Sequence, residues 1–183
     1  MSEAAQIGAN SPSSKQAALL ELAARLHENG HRALVFSQFT DHLALIRKTL
    51  EGAGFECLYL DGATPAAKRT ELVAQFQSGR GDFFLISLRA GGTGLNLTGA
   101  DYVIHMDPWW NPAVEDQASD RAHRIGQKRP VTVYRLVARD TVEEKIVELH
   151  RTKRELASDV LDGAASPASL DLAALSALLR DDD

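Results

Sequence analysis

One cysteine, Cys57, among 183 residues leaves no internal disulfide and no cysteine-rich zinc site, and it suits a reducing compartment. The opening Met1-Ser2-Glu3-Ala4 lacks the basic stretch and apolar core of a secretory signal. No apolar run approaches the roughly 18 residues that span a bilayer, so no membrane partner is expected. No glycine is followed by lysine, which excludes a P-loop, and Gly92-Thr93-Gly94 lacks the third glycine of a dinucleotide fingerprint. The six histidines show no metal-ligand spacing, and the sequence offers no Ser/His/Asp nucleophile arrangement. No metal ligands are therefore assigned.

What remains is a chain with 44% hydrophobic and 25% charged residues, enough for one ordinary domain with a core. The net charge of −5 argues against a nucleic-acid partner until it is divided along the chain. Residues 117–154 hold 10 Lys/Arg against 5 Asp/Glu, whereas residues 155–183 hold 1 against 7. A local basic segment binds phosphates whatever the total charge is.

Short apolar runs alternate with amphipathic stretches. Strands are expected at 33–36, 57–60, 83–87, 102–106 and 131–137, and helices from residue 14 to 28, at 41–50, at 65–77 and at 112–123. Buried strands alternating with helices predict an α/β fold with a mainly parallel sheet. In such sheets ligands gather at the carboxyl ends of the strands, where Ser37-Gln38, Asp61 to Thr64, Ser87 to Gly94 and Asp107 to Asn111 fall. Residues 1–13 read as a loose leader and 14–140 as the main lobe. A long helix is expected over 141–162, then a linker, a short helix and an acidic tail over 163–183.

Asn111 as cap and Pro112 as first helical residue would open the fourth helix. Gln117, Arg121 and Arg124 then stand at i, i+4 and i+7, on one helical face. An amide and two guanidinium groups aimed together suit phosphate oxygens; the competing reading is ion pairing within the helix, with Asp120 four residues before Arg124. The glycines at 91, 92 and 94 suit a backbone nest for an anion or, more plainly, a flexible turn. Trp109 and Trp110 read equally as a plug on the sheet or as a contact to a partner domain or nucleic-acid backbone. Thr64 as cap and Pro65 as first residue start the third helix, with Lys68 and Arg69 within reach of a phosphate near its N-terminus.

These segments in order closely resemble the Swi/Snf-type ATPases of the second helicase superfamily, which are DNA translocases and chromatin remodellers. The resemblance rests on Val35-Phe36-Ser37-Gln38-Phe39, on Asp61-Gly62 with Thr64, and on Ser87, Arg89-Ala90-Gly91-Gly92 and Gly94-Leu95-Asn96-Leu97. It continues through Asp107-Pro108-Trp109-Trp110-Asn111-Pro112 to Gln117-Ala118, Arg121-Ala122-His123-Arg124-Ile125-Gly126-Gln127. It covers roughly residues 14–161 and is to the C-terminal RecA-like lobe. It implies a three-layer α/β/α fold with a C-terminal helical extension that braces two lobes. Arg121 and Arg124 are then arginine fingers toward the ATP γ-phosphate, with Gln117 supporting them. Gly92, Gly94 and Asn96 join nucleotide to nucleic acid, and Ser37, Gln38, Thr64, Ser87 and Arg89 lie near the DNA backbone.

The sequence has no Walker A lysine and no Asp-Glu pair. The resemblance therefore implies that ATP and Mg2+ bind only together with an N-terminal RecA-like lobe, in cis or in trans, and that this chain alone is inactive. The other implied partners are double-stranded DNA and a DNA-bound protein as the remodelled substrate. The seat would be cytoplasmic and nucleoid-associated in a bacterium, nuclear in a eukaryote. Two alternatives stand beside it. One is the same lobe of an RNA helicase or restriction-type translocase, against which the double tryptophan and the Arg-Ile-Gly-Gln run argue. The other is a non-catalytic module of the same fold that docks on DNA or protein.

Overall fold

A computed structural model describes residues 13–90, 95–123, 126–127 and 129–161, with side chains through Thr152. Its strands are β1 (Ala33–Ser37), β2 (Cys57–Leu60), β3 (Phe83–Ser87), β4 (Tyr102–His105) and β5 (Thr132–Arg135). Its helices are α1 (Ser14–Glu28), α2 (Thr40–Gly52), α3 (Ala66–Gln77), α4 (Pro112–Ser119) and α5 (Val142–Leu161). The strands form one sheet in the order β2-β3-β1-β4-β5, every neighbouring pair parallel.

The central strands are buried on both faces because β1 and β3 are apolar up to their closing serines, and alternate residues feed two separate cores. Leu34, Phe36, Phe84 and Ile86 pack under α3 and α4 with Leu72, Phe76 and Ala118. Ala33, Val35, Phe83 and Leu85 pack under α1 and α2 with Leu19, Leu22, Leu43 and Ile46. This is the expected three-layer arrangement. All five carboxyl ends share one edge, and the crevice between β1 and β4 is where the strand order reverses.

Local chemistry sets the element ends. Ser13 opens α1 with a capping box: its hydroxyl accepts from the Gln16 N–H at 3.3 Å while the Gln16 side chain accepts from the Ser13 N–H at 2.8 Å. Gly30, at φ 68°, turns the chain from α1 into β1. Three expectations change. The third helix has Pro65, not Thr64, at its cap, because the Thr64 hydroxyl is engaged by Asp61. The fourth helix stops at Ser119 rather than 123. The fifth strand is not a buried one: it is the sheet's edge, and Val133 and Tyr134 are exposed.

The amino-terminal and carboxyl-terminal parts meet at Lys15. Its Nζ donates to the Met106 carbonyl at 2.8 Å and to Glu143 Oε1 at 2.6 Å, joining α1 to the end of β4 and to the first turn of α5. The short helix and acidic tail expected beyond residue 162 lie outside the described residues. No helix among the described residues is long and apolar enough to cross a membrane.

Candidate functional site

The ends of β1 and β4 are locked together by side chains. The Ser37 hydroxyl donates to the Asp107 carboxylate, whose other oxygen lies 3.1 Å from His42 Nδ1 on α2. Burial pushes the Asp107 carboxyl up, but the hydrogen bonds from His42 and Ser37, with the nearby charges of His42 and Lys15, outweigh it and hold it below the usual range. Ser87, at the end of β3, accepts from the Ala90 N–H at 3.2 Å and so starts the glycine-rich turn. Both serines are buried. Their hydroxyls organise the strand ends, Ser37 toward Asp107 and Ser87 toward the Ala90 N–H.

Above that lock, Gln38, Phe39, Leu88, Arg89, Trp109 and Val114 line a cleft of about 290 Å³. Three predicted residues, Gln38, Arg89 and Trp109, are brought together there, with Arg89 exposed. The Trp109 N–H donates to Glu115 Oε1 at 2.7 Å, and Trp110 turns out to solvent with 45% exposure. One tryptophan therefore walls the cleft and the other is displayed beside it.

A second cleft of about 520 Å³ is lined by Thr64, Ala66, Arg69, Thr70, Val73, Leu95 and Asn96. Arg69 does not reach outward. Its guanidinium donates to the carbonyls of Thr64 at 2.8 Å, Asp61 at 3.1 Å, Gly62 at 3.2 Å and Ala90 at 3.4 Å. A fork with several donors suits several carbonyls at once, so Arg69 staples the loop after β2 to the turn after β3 and forms part of the cleft wall. Thr64 likewise shares its hydroxyl with Asp61, accepting from the Asp61 N–H at 3.1 Å.

The arginine segment departs most from expectation. Asn111 caps α4 through the Ala113 N–H at 3.2 Å, with Pro112 in the first turn, but Asp120 closes the helix. Gln117 is exposed on the last turn, whereas Arg121 lies in the turn beyond and is only 4% exposed. The two do not share a helical face, because the chain leaves the helix before Arg121 and bonds to another loop. The Leu97 N–H donates to the Arg121 carbonyl at 3.0 Å, tying the arginine segment to the exit of the glycine-rich turn. Arg124, Gly92 and Gly94 lie outside the described residues, and Asn96 is exposed with its carbonyl accepting from Gln77 at 2.9 Å. Among the described residues, no group of three or more His, Cys, Asp or Glu could hold a metal ion.

Residues 14–126 match the family of the helicase conserved C-terminal domain. The chain belongs to that family. Within it the lobe is of the Swi/Snf type: it is 47% identical over 152 residues to a SWI/SNF-related matrix-associated actin-dependent regulator of chromatin, subfamily A member 3-like 1, of Arabidopsis thaliana. That alignment covers 80% of this chain and 17% of the relative. It is also 44% identical over 165 residues to the chromatin-remodeling ATPase INO80 of Drosophila melanogaster, covering 88% of this chain and 10% of that one. The fold is RecA-like, as in the crystal structure of the C-terminal part of the Fun30 ATPase domain. That match has a TM-score of 0.72 and 37% identity, and covers 75% of this chain and 45% of the other. The chain thus spans under a fifth of the length of these curated relatives.

Two residues of this helicase C-terminal lobe have structural roles that the sequence did not assign. Glu115 is fully buried and bridges the Trp109 N–H to Arg135 Nε, the latter at 2.6 Å. The signal was present: Glu115, Ala118 and Ala122 are spaced i, i+3 and i+7, and all three are buried. Gln127, which closes the motif run, donates to three backbone carbonyls at once, and nothing in the run reveals those partners.

Proposed function

We propose that this lobe is the carboxyl-terminal half of an ATP-dependent motor that tracks double-stranded DNA. It supplies Arg121 and Arg124 as arginine fingers, with Gln117 at the rim, to a nucleotide site completed by an N-terminal RecA-like lobe. The observation that carries the reading is the backbone bond from Leu97 to Arg121. It couples the loop at the strand ends to the arginine segment, so a shift at one is felt at the other.

The residue types proposed suit the phosphate end of ATP rather than its magnesium: guanidinium and amide groups carry donors for phosphate oxygens, and the described residues hold no carboxylate cluster for a cation. Bound ATP with Mg2+ would supply the phosphoryl group whose transfer to water drives the cycle. This chain's own contribution is donors that meet the charge of the transferring group, Gly92, Gly94 and Asn96 on the connecting loop, and the two clefts. Gln38, Arg89, Trp109 and Trp110 at one cleft, with Thr64, Arg69 and Asn96 at the other, form a track for one strand of phosphates. Arg89 offers charge, the tryptophans offer apolar faces, and Arg69 and Thr64 hold the wall. The chromatin substrates named for the relatives suggest a DNA-bound protein as the thing moved.

The test combines this lobe with its N-terminal motor lobe and measures DNA-stimulated ATP hydrolysis. Arginine fingers are worth roughly 10³–10⁵ in rate, so Arg121→Ala and Arg124→Ala should each lower turnover by about 10³-fold. Unchanged turnover in both overturns the arginine assignment. Equal stimulation by RNA would move the lobe to an RNA helicase, and no turnover with any nucleic acid would leave a docking module.

A further inference from the structure

Gln127 lies outside both clefts and has no place in the chemistry above. Its Nε2 donates to the carbonyls of Ala100 at 2.6 Å, Ala122 at 3.1 Å and Thr98 at 3.2 Å, and its Oε1 accepts from the Arg129 N–H at 3.0 Å. Only the NH₂ end of an amide can face three carbonyl oxygens, so the side chain's orientation is forced. These bonds join two segments: residues 98–100, which lead into β4, and Ala122, which directly follows Arg121.

The first of those segments is a fixed post. A Cβ at Gly99 would stand 2.8 Å from Gln77 Oε1 and 3.3 Å from the Phe76 carbonyl, so the loop is wedged against the end of α3. The second is the turn just after α4. Gly126, at φ 107°, supplies the reversal that swings Gln127 back toward both. With the Leu97 bond to the Arg121 carbonyl, the turn carrying Arg121 is pinned at two successive carbonyls, those of Arg121 and Ala122.

We infer that Gln127 is a positioning residue: its amide holds the Arg121 turn against the 98–100 post and so sets where the guanidinium stands for phosphoryl transfer. The inference rests on reading Arg121 as an arginine finger. A carboxylate of nearly the same shape would meet three carbonyls with no hydrogen to share, and the turn would part from its post. Misplacement of a catalytic group by about 1 Å costs roughly 10²-fold.

The experiment uses the assembled two-lobe ATPase with Gln127→Glu, Arg121→Ala and the double variant. Gln127→Glu should lower DNA-stimulated kcat by about 10²-fold, leave the KM for ATP within about twofold, and add nothing to the loss from Arg121→Ala. Its deficit should shrink as pH falls toward carboxyl protonation, because the neutral acid regains one donor. Without nucleotide, amide exchange at Leu97 should quicken while β1 and β3 keep their protection. Gln127→Met, which removes the donors without adding charge, serves as the second variant should Gln127→Glu fold poorly. A native kcat in both variants, a loss that adds fully to that of Arg121→Ala, or unchanged exchange at Leu97 overturns the inference. If Arg121→Ala itself leaves turnover intact, the arginine reading fails and this inference with it. A full Arg121→Ala loss beside an inert Gln127→Glu sinks the inference alone.

Discussion

Glu115 carries a carboxylate with 0% side-chain exposure, and its two oxygens are held by the Trp109 N–H and by Arg135. Removing one partner of such a pair leaves a charge buried without compensation, which costs about 3–5 kcal/mol. Arg135 is itself 26% exposed, so Arg135→Met should destabilise the lobe near the lower end, about 3 kcal/mol, by urea denaturation. Glu115→Gln in the same chain should restore part of that loss, because the orphaned charge is gone. His105 provides a second expectation. Burial, only partly offset by Glu115 nearby, pushes its imidazole down to about 4, and its ring stacks on Phe36 with Nε2 3.0 Å from the Ser119 hydroxyl. A base held neutral in the folded state contributes its stability above the unfolded pKa of about 6.5 and loses it as protons bind the unfolded chain. Stability should therefore decline as pH falls from about 6.5 to about 4, and His105→Asn should flatten that slope in denaturation curves taken across the window.

Elements ending in recognisable chemistry are legible in the sequence. The continuous apolar runs 33–36 and 83–86 mark β1 and β3, and Asn111 followed by Pro112 marks the start of α4. Asn111→Ala should cost about 1 kcal/mol of stability by losing the bond to the Ala113 N–H, measurable by thermal unfolding. The end of α4 was not legible. Spacings of four and three residues continue through Gln117, Arg121 and Arg124 as though the helix went on, and nothing in that spacing reveals that the Arg121 carbonyl is claimed by Leu97. Arg69 concealed its local bonds for a related reason. A guanidinium that gathers four carbonyls looks, in sequence, like one awaiting a phosphate. The residue sets that line the clefts were visible as loop motifs, but the inward turn of Ser37 and Ser87 depended on neighbours some 70 and 3 residues away.

At the level of the entire lobe, charge and shape act together. The acidic chain carries its basic surplus between residues 117 and 154, while the cleft residues sit at the shared strand edge. Binding to duplex DNA should then be weak and dominated by phosphates. If about three phosphates are neutralised, affinity should fall roughly 40-fold between 50 and 200 mM salt, read by fluorescence anisotropy. An affinity indifferent to salt would point to a protein partner instead.

Lys15 has a practical consequence at the same level. A single ammonium group spans the far end of β4 and the foot of α5, so the first helical turn acts as a keystone for a region more than 90 residues away in sequence. Anyone trimming this lobe to a minimal unit is therefore constrained at the front: a cut that discards residue 15 removes the tie between β4 and the foot of the terminal rod, even though nothing near either cleft has been touched.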